Sequence, residues 1–190
     1  MRNEGVEKVE RYSSGGLVVG LIGVGLVVVV LGYGLLDAEA GFAPWAYPLC
    51  LLLGVLAWAV LIRPALRLHR DEVELRNVLH TRWVPFALIT SVEISQVTIV
   101  RVGEERYVGS GFGRTRRTLR RDETAPDDAP LERRSTAWLI EDRIRRRSVA
   151  ARDPATSSLG EHEVRHAWAW PEIIALGVLA VATVVLALVA

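Results

Sequence analysis

The chain is 190 residues long, 51% apolar and 24% charged, with a formal net charge of +1. The two populations segregate: residues 17–36, 42–62 and 173–190 contain no Lys or Arg, whereas residues 63–170 hold 20 of the 23 basic side chains. Such segregation excludes an ordinary water-soluble globule, because about 20 consecutive apolar residues are what a helix needs to cross the hydrocarbon core of a bilayer. The only thiol, Cys50, lies inside an apolar run, which excludes a disulfide framework or a cysteine zinc site within one chain.

In chain order, residues 1–15 form a tail with Arg2, Lys8 and Arg11. Residues 16–36 predict a first transmembrane helix. Ala38-Glu39-Ala40 offers the small residues of a signal-peptide cleavage site, but the apolar run exceeds a signal core of about 7 to 15 residues, so a retained span is expected. Gly16, Gly20 and Gly23 share one helical face and favour close packing against the second span over packing against another copy. That second span is expected over residues 42–62. A third is expected over 170–190, where Pro171 and Glu172 suit a first helical turn. Lys and Arg mark the cytoplasmic side. Arg2, Lys8 and Arg11 precede the first span, Arg63, Arg67, Arg70 and Arg76 follow the second, and Arg165 precedes the third, while residues 37–41 carry two acids and no base. The expected topology is a multi-pass protein of the plasma membrane, with the N-terminus and central region cytoplasmic and the C-terminus outside.

Residues 63–149 read as one cytoplasmic domain. Leu66 and Leu68, then Val73 and Leu75, alternate with polar residues around an Arg70-Asp71 turn, which predicts a hairpin. Residues 78–83 predict a third strand, Pro85 interrupts it, and a short turn delivers Phe86 and Ile89 to the core. One long strand is expected next, with Val92, Ile94, Thr98, Val100 and Val102 on one face, before a turn at Gly103-Glu104-Glu105 into Arg106-Tyr107-Val108. Residues 109–128 are rich in Gly, Arg, Asp and Thr and read as a surface excursion. A helix over 131–147 follows, its apolar residues forming no single clean stripe. Residues 150–167 read as a linker and juxtamembrane segment.

The stretches Arg63-Pro64, Val73-Glu74-Leu75-Arg76-Asn77, Trp83-Val84-Pro85-Phe86-Ala87-Leu88-Ile89, Arg106-Tyr107-Val108, Glu141-Asp142-Arg143-Ile144 and Ala169-Trp170-Pro171-Glu172 carry a resemblance. In them the chain resembles the bacterial PH-like domains of actinobacterial membrane proteins related to a low-molecular-weight mycobacterial antigen. Those relatives commonly carry Trp where this chain has Phe86, which keeps an aromatic. The resemblance implies a PH-like fold, a bent antiparallel sheet or partial barrel closed by a C-terminal helix; with the three transmembrane helices read from the apolar blocks, the expected class is a membrane-anchored α+β protein. It brings no catalytic site and no cofactor.

Three patterns suggest chemistry. His162-Glu163-Val164-Arg165-His166 matches HExxH, which on a helix presents two imidazoles to zinc beside a general base. A third ligand is wanting nearby, so a chance pair of histidines in a polar stretch is the preferred reading and a zinc metallopeptidase the remote alternative. Gly109-Ser110-Gly111-Phe112-Gly113-Arg114 fails the GxGxxG test and lacks a βαβ setting. The third pattern is basic: Arg114, Arg116, Arg117, Arg120 and Arg121 are expected to contact anionic phospholipid headgroups, with Asp122, Glu123, Asp127, Asp128, Glu132, Glu141 and Asp142 close enough in sequence to neutralise them instead. With Phe112 the one aromatic among them, nucleic acid is not an expected partner. The sequence therefore points to a non-enzymatic binding or scaffolding module at the inner membrane face. Its partner is either anionic lipid or, alternatively, a protein in a membrane complex.

Overall fold

The computed structural model describes residues 9–13, 15–36, 42–124, 130, 134–153 and 163–190. The chain runs β1 (Glu10–Tyr12), α1 (Gly16–Leu36), α2 (Ala46–Ala57), a π-helical turn (Trp58–Ile62), β2 (Ala65–Leu68), β3 (Glu72–Arg76), β4 (His80–Pro85) and a 3-10 turn (Phe86–Leu88). It continues through β5 (Ser91–Ile94), β6 (Thr98–Val102), β7 (Glu105–Gly109), α3 (Arg116–Thr124), α4 (Thr136–Ala151), β8 (Arg165–Trp168) and α5 (Trp170–Val189). The fold is α+β, with antiparallel sheets and a C-terminal helix, and it divides into two compact units.

The helical unit follows from apolar composition. α1 and α5, 21 and 20 residues long, contain 18-residue stretches of mean hydropathy 2.5 and 2.7, and both are long and apolar enough to cross a membrane. The stretch expected as a second span is helical over the shorter range Ala46–Ile62, because the chain turns at Pro44-Trp45 before α2 begins. The glycine face of α1 lies against this segment: a Cβ on Gly20 would fall 2.6 Å from Ile62 Cγ1, and one on Gly16 3.1 Å from the Leu61 carbonyl. Close approach within one chain is what those glycines permit. At the start of α5, Pro171 occupies the first turn and Arg63 Nε donates to Glu172 Oε1 at 2.9 Å.

The second unit carries the sheets. β1-β2-β3-β4-β8 form a five-stranded sheet and β5-β6-β7 a three-stranded one. The predicted hairpin is present, with Leu66 opposite Leu75 and Leu68 opposite Val73, and all four side chains are buried. Phe86 and Ile89 reach the core through the 3-10 turn as anticipated. The single long strand does not form. Ser95-Gln96-Val97 turns the chain, and β5 and β6 pair with Ile94 opposite Thr98. Cross-strand partners face the same side and these two are an even number of residues apart, so the alternation runs unbroken through a hairpin. The Gly103-Glu104 turn is as expected, with Gly103 at φ +57°, a conformation that suits glycine.

Three further departures concern the edges and the helices. The tail contributes β1, and the juxtamembrane stretch contributes β8, each at an outer edge of the larger sheet. The excursion expected over 109–128 contains the nine-residue α3. In α4, Ala137, Ile140, Ile144 and Ser148 recur at three- and four-residue spacing and make one buried stripe, while Leu139 faces outward. The stripe covers a core of Leu66, Leu68, Val73, Leu75, Val84, Phe86, Ile89, Ile94 and Val100.

Candidate functional site

The basic segment 114–121 is split by the structure into two roles. Thr115 caps α3: its hydroxyl accepts from the Thr118 amide at 3.3 Å and its carbonyl from Leu119 at 2.9 Å. At 3.6 residues per turn, Arg116, Arg120, Arg117 and Arg121 then fall within an arc of roughly 140°. All four are exposed, and among the described residues none has an ion-pair partner. Glu123 is exposed at the margin of this face.

Arg114 does not share that face. Its side chain is only 6% exposed, with Nη2 2.5 Å from Glu141 Oε2 and Nη1 3.5 Å from Asp122 Oδ2. Asp122, on the inward face of α3, accepts from the Ser135 amide at 3.1 Å and from the Ser135 hydroxyl. Ser135 in turn caps α4 by accepting from the Trp138 amide at 3.1 Å. Glu141 also accepts from the Ile94 amide at 3.2 Å. Burial pushes the Glu141 carboxyl above its ordinary value, against the pull of that amide and of Arg114. Arg114 is thus a positioning residue that ties α3, α4 and β5 together.

The same division settles part of the charge balance. Of the acids close in sequence to the arginines, Asp122 and Glu141 are committed to Arg114, and Asp142 pairs with Arg145 and Arg146. Asp127, Asp128 and Glu132 lie outside the described residues. The other arginines of α4 and its C-cap serve the fold: Arg143 and Arg147 engage Glu10 of β1, Arg147 Nη1 donates to the His69 carbonyl at 3.1 Å, and the cap residue Arg152 donates to the Ile89 carbonyl.

The HExxH pattern has a different setting from the one its chemistry needs. His166 lies exposed on β8, and Glu163 and Val164 are not helical, so the helical face that would present two imidazoles to a metal does not form across these residues. His162 lies outside the described residues. Among the described residues, no three His, Cys, Asp or Glu side chains come together in a way that could hold a metal ion.

The buried Arg114-Asp122-Glu141 cluster was not foreseen from sequence. Its one signal is Thr115-Arg116-Arg117-Thr118, a capping hydroxyl ahead of a run whose only inward-facing charge is Asp122. No known family model matches the chain, and no curated protein or solved structure matches it.

Proposed function

We propose that the protein is a three-span integral membrane protein with a cytoplasmic PH-like module, acting without catalysis as a binding or scaffolding element at the inner membrane face. Anionic phospholipid is its proposed contact. The observation that carries this reading is the exposed face of Arg116, Arg117, Arg120 and Arg121, set apart from Asp122 on the opposite side of the same helix. Near an anionic surface each basic residue contributes about 1 kcal/mol, within a Debye length of about 8 to 10 Å.

Membrane insertion is supported by the apolar side chains that α1 and α5 leave uncovered, including Leu21, Ile22, Val29, Ile174, Val181 and Val185. Surfaces of that kind call for lipid or another protein. Residues 42–62 complete the three spans of the proposal, and the placement of Lys and Arg supports its orientation. The PH-like reading is supported by two consecutive three-strand meanders, β2-β3-β4 and β5-β6-β7, followed by α4 laid over their shared core.

The test is hydrogen exchange of residues 116–124 in the full-length protein, held in nanodiscs of phosphatidylcholine alone or mixed with phosphatidylglycerol, at low and high salt. Slower exchange in the anionic discs is expected, abolished by salt and by joint replacement of the four arginines with Gln. Equal exchange in neutral and anionic discs overturns the proposal.

A further inference from the structure

Beside the arginine face, with Arg121 common to both, a cavity of about 380 Å³ opens between the start of α3 and the start of α4. Arg114, Arg121 and Arg134 line it together with Thr115, Thr118 and Thr136, and no acidic side chain is among its described lining residues. Both helices begin there: Thr115, the cap of α3, and Ser135, the cap of α4, are wall residues. Neither helix has an acid in its first turn. Two positive dipole ends and three guanidinium groups therefore bear on one volume.

The acids nearby do not fill it. Asp122 is outside the lining, with its carboxylate taken up by Ser135 and Arg114, so it offsets part of the positive end of α4 from behind the wall. Glu141 lies against Arg114 in the same way. Arg134 stacks over Trp138 at 4.7 Å and donates to the Asp122 carbonyl at 3.3 Å. Arg114 adds an independent observation: its Nε–H is buried and has no hydrogen-bond acceptor among the described residues. Buried donors of this kind in native proteins are normally satisfied by protein, water or a bound ion.

We propose that this cavity binds a phosphomonoester. Guanidinium groups match the geometry of phosphate oxygens, and Thr115, Thr118 and Thr136 add hydroxyls to the wall, those of Thr115 and Thr118 being 2.7 Å apart and hydrogen-bonded to each other. The volume exceeds that of the anion alone and leaves room for the group it esterifies. The phosphate can come from a small soluble ester or from a lipid headgroup ending in a phosphomonoester.

The test titrates inorganic phosphate into the full-length protein in neutral detergent, following thermal stability and heat of binding, with chloride at equal ionic strength as the control. Saturable stabilisation by phosphate beyond chloride is expected. Arg121→Gln should weaken it by about tenfold, the loss of one charge-assisted contact. Thr118→Val should weaken it less, and Arg106→Gln, an exposed residue of β7 outside the cavity, should leave it unchanged. Phosphate acting no better than chloride, or Arg121→Gln and Thr118→Val binding as the unaltered protein does, overturns the proposal. In nanodiscs, phosphatidate competing with inorganic phosphate where phosphatidylglycerol does not identifies the lipid source, and competition by glycerol phosphate alone identifies the soluble one. Neutral detergent is blind to adsorption on anionic bilayers, so failure here is distinguishable from failure of the surface reading.

Discussion

The Asp122 carboxylate accepts from both the amide and the hydroxyl of Ser135, and so fastens the last turn of α3 to the first turn of α4. The carboxylate is 98% buried, its side chain being 2% exposed, and it faces Arg114 as its counter-charge. Removing it takes away two charge-assisted hydrogen bonds from Ser135 and the more distant of the two acids beside Arg114, Glu141 remaining at 2.5 Å, for a loss of about 2 to 3 kcal/mol. Asp122→Ala should therefore destabilise the full-length protein more than Ser135→Ala, which removes a cap worth about 1 kcal/mol and one donor to the carboxylate but leaves it the Ser135 amide and Arg114. Thermal unfolding in detergent micelles reads the difference. Equal effects would mean that the Arg114 contact contributes little.

This junction was the least legible part of the chain, for a physical reason. Period-two alternation marked β2, β3 and β6 because each strand sends alternate apolar side chains into the core that the α4 stripe joins. It could not mark the break between β5 and β6, since Ile94 and Thr98 stay in phase across the turn. β1 and β8 are three and four residues long and hold their places at the sheet edge through backbone pairing and ion pairs such as Arg165 with Glu72. Neither has an apolar rhythm to read. α3 is amphipathic in charge instead of hydrophobicity: its buried side carries Asp122 and its exposed side arginines. A search for apolar stripes passes over such a helix. The five arginines were visible as a group, but the withdrawal of Arg114 from the surface depends on Glu141, 27 residues away.

A pH dependence follows from the attachment of β1. Tyr12 donates to Glu10 Oε2 at 2.6 Å, and Arg143 and Arg147 lie beside the same carboxylate. The Tyr12 hydroxyl is the main influence holding the Glu10 carboxyl below its ordinary value, against some burial and with help from the two arginines. A carboxyl with a lowered folded pKa stabilises the fold above its unfolded value, and that contribution is lost as pH falls through the folded one. Glu141, shifted upward, acts in the opposite sense: its contribution is present below its unfolded value and is lost as pH rises. Tyr12→Phe leaves Glu141 alone and keeps a ring against Phe112. The variant should lose less stability than the unaltered protein as the medium is acidified below the ordinary carboxylate range. Thermal unfolding across that range checks this, and parallel curves would show that Tyr12 does not govern Glu10.

In the helical unit, Arg63 and Glu172 form a pair with side chains only 4% and 13% exposed, 2.9 Å apart. Glu172 sits in the first turn of α5, where the helix dipole also favours a negative charge. Loss of either partner takes the nearest counter-charge from a group held largely away from water, while loss of both removes the desolvation penalty along with the attraction. Arg63→Leu or Glu172→Leu alone should each destabilise by about 3 kcal/mol or more, and the double variant by much less than their sum. A double-mutant cycle on thermal unfolding in detergent gives the coupling directly. Additive losses would place the value of each residue in its separate contacts, whereas a large coupling makes this pair the clasp between the π-helical turn and α5.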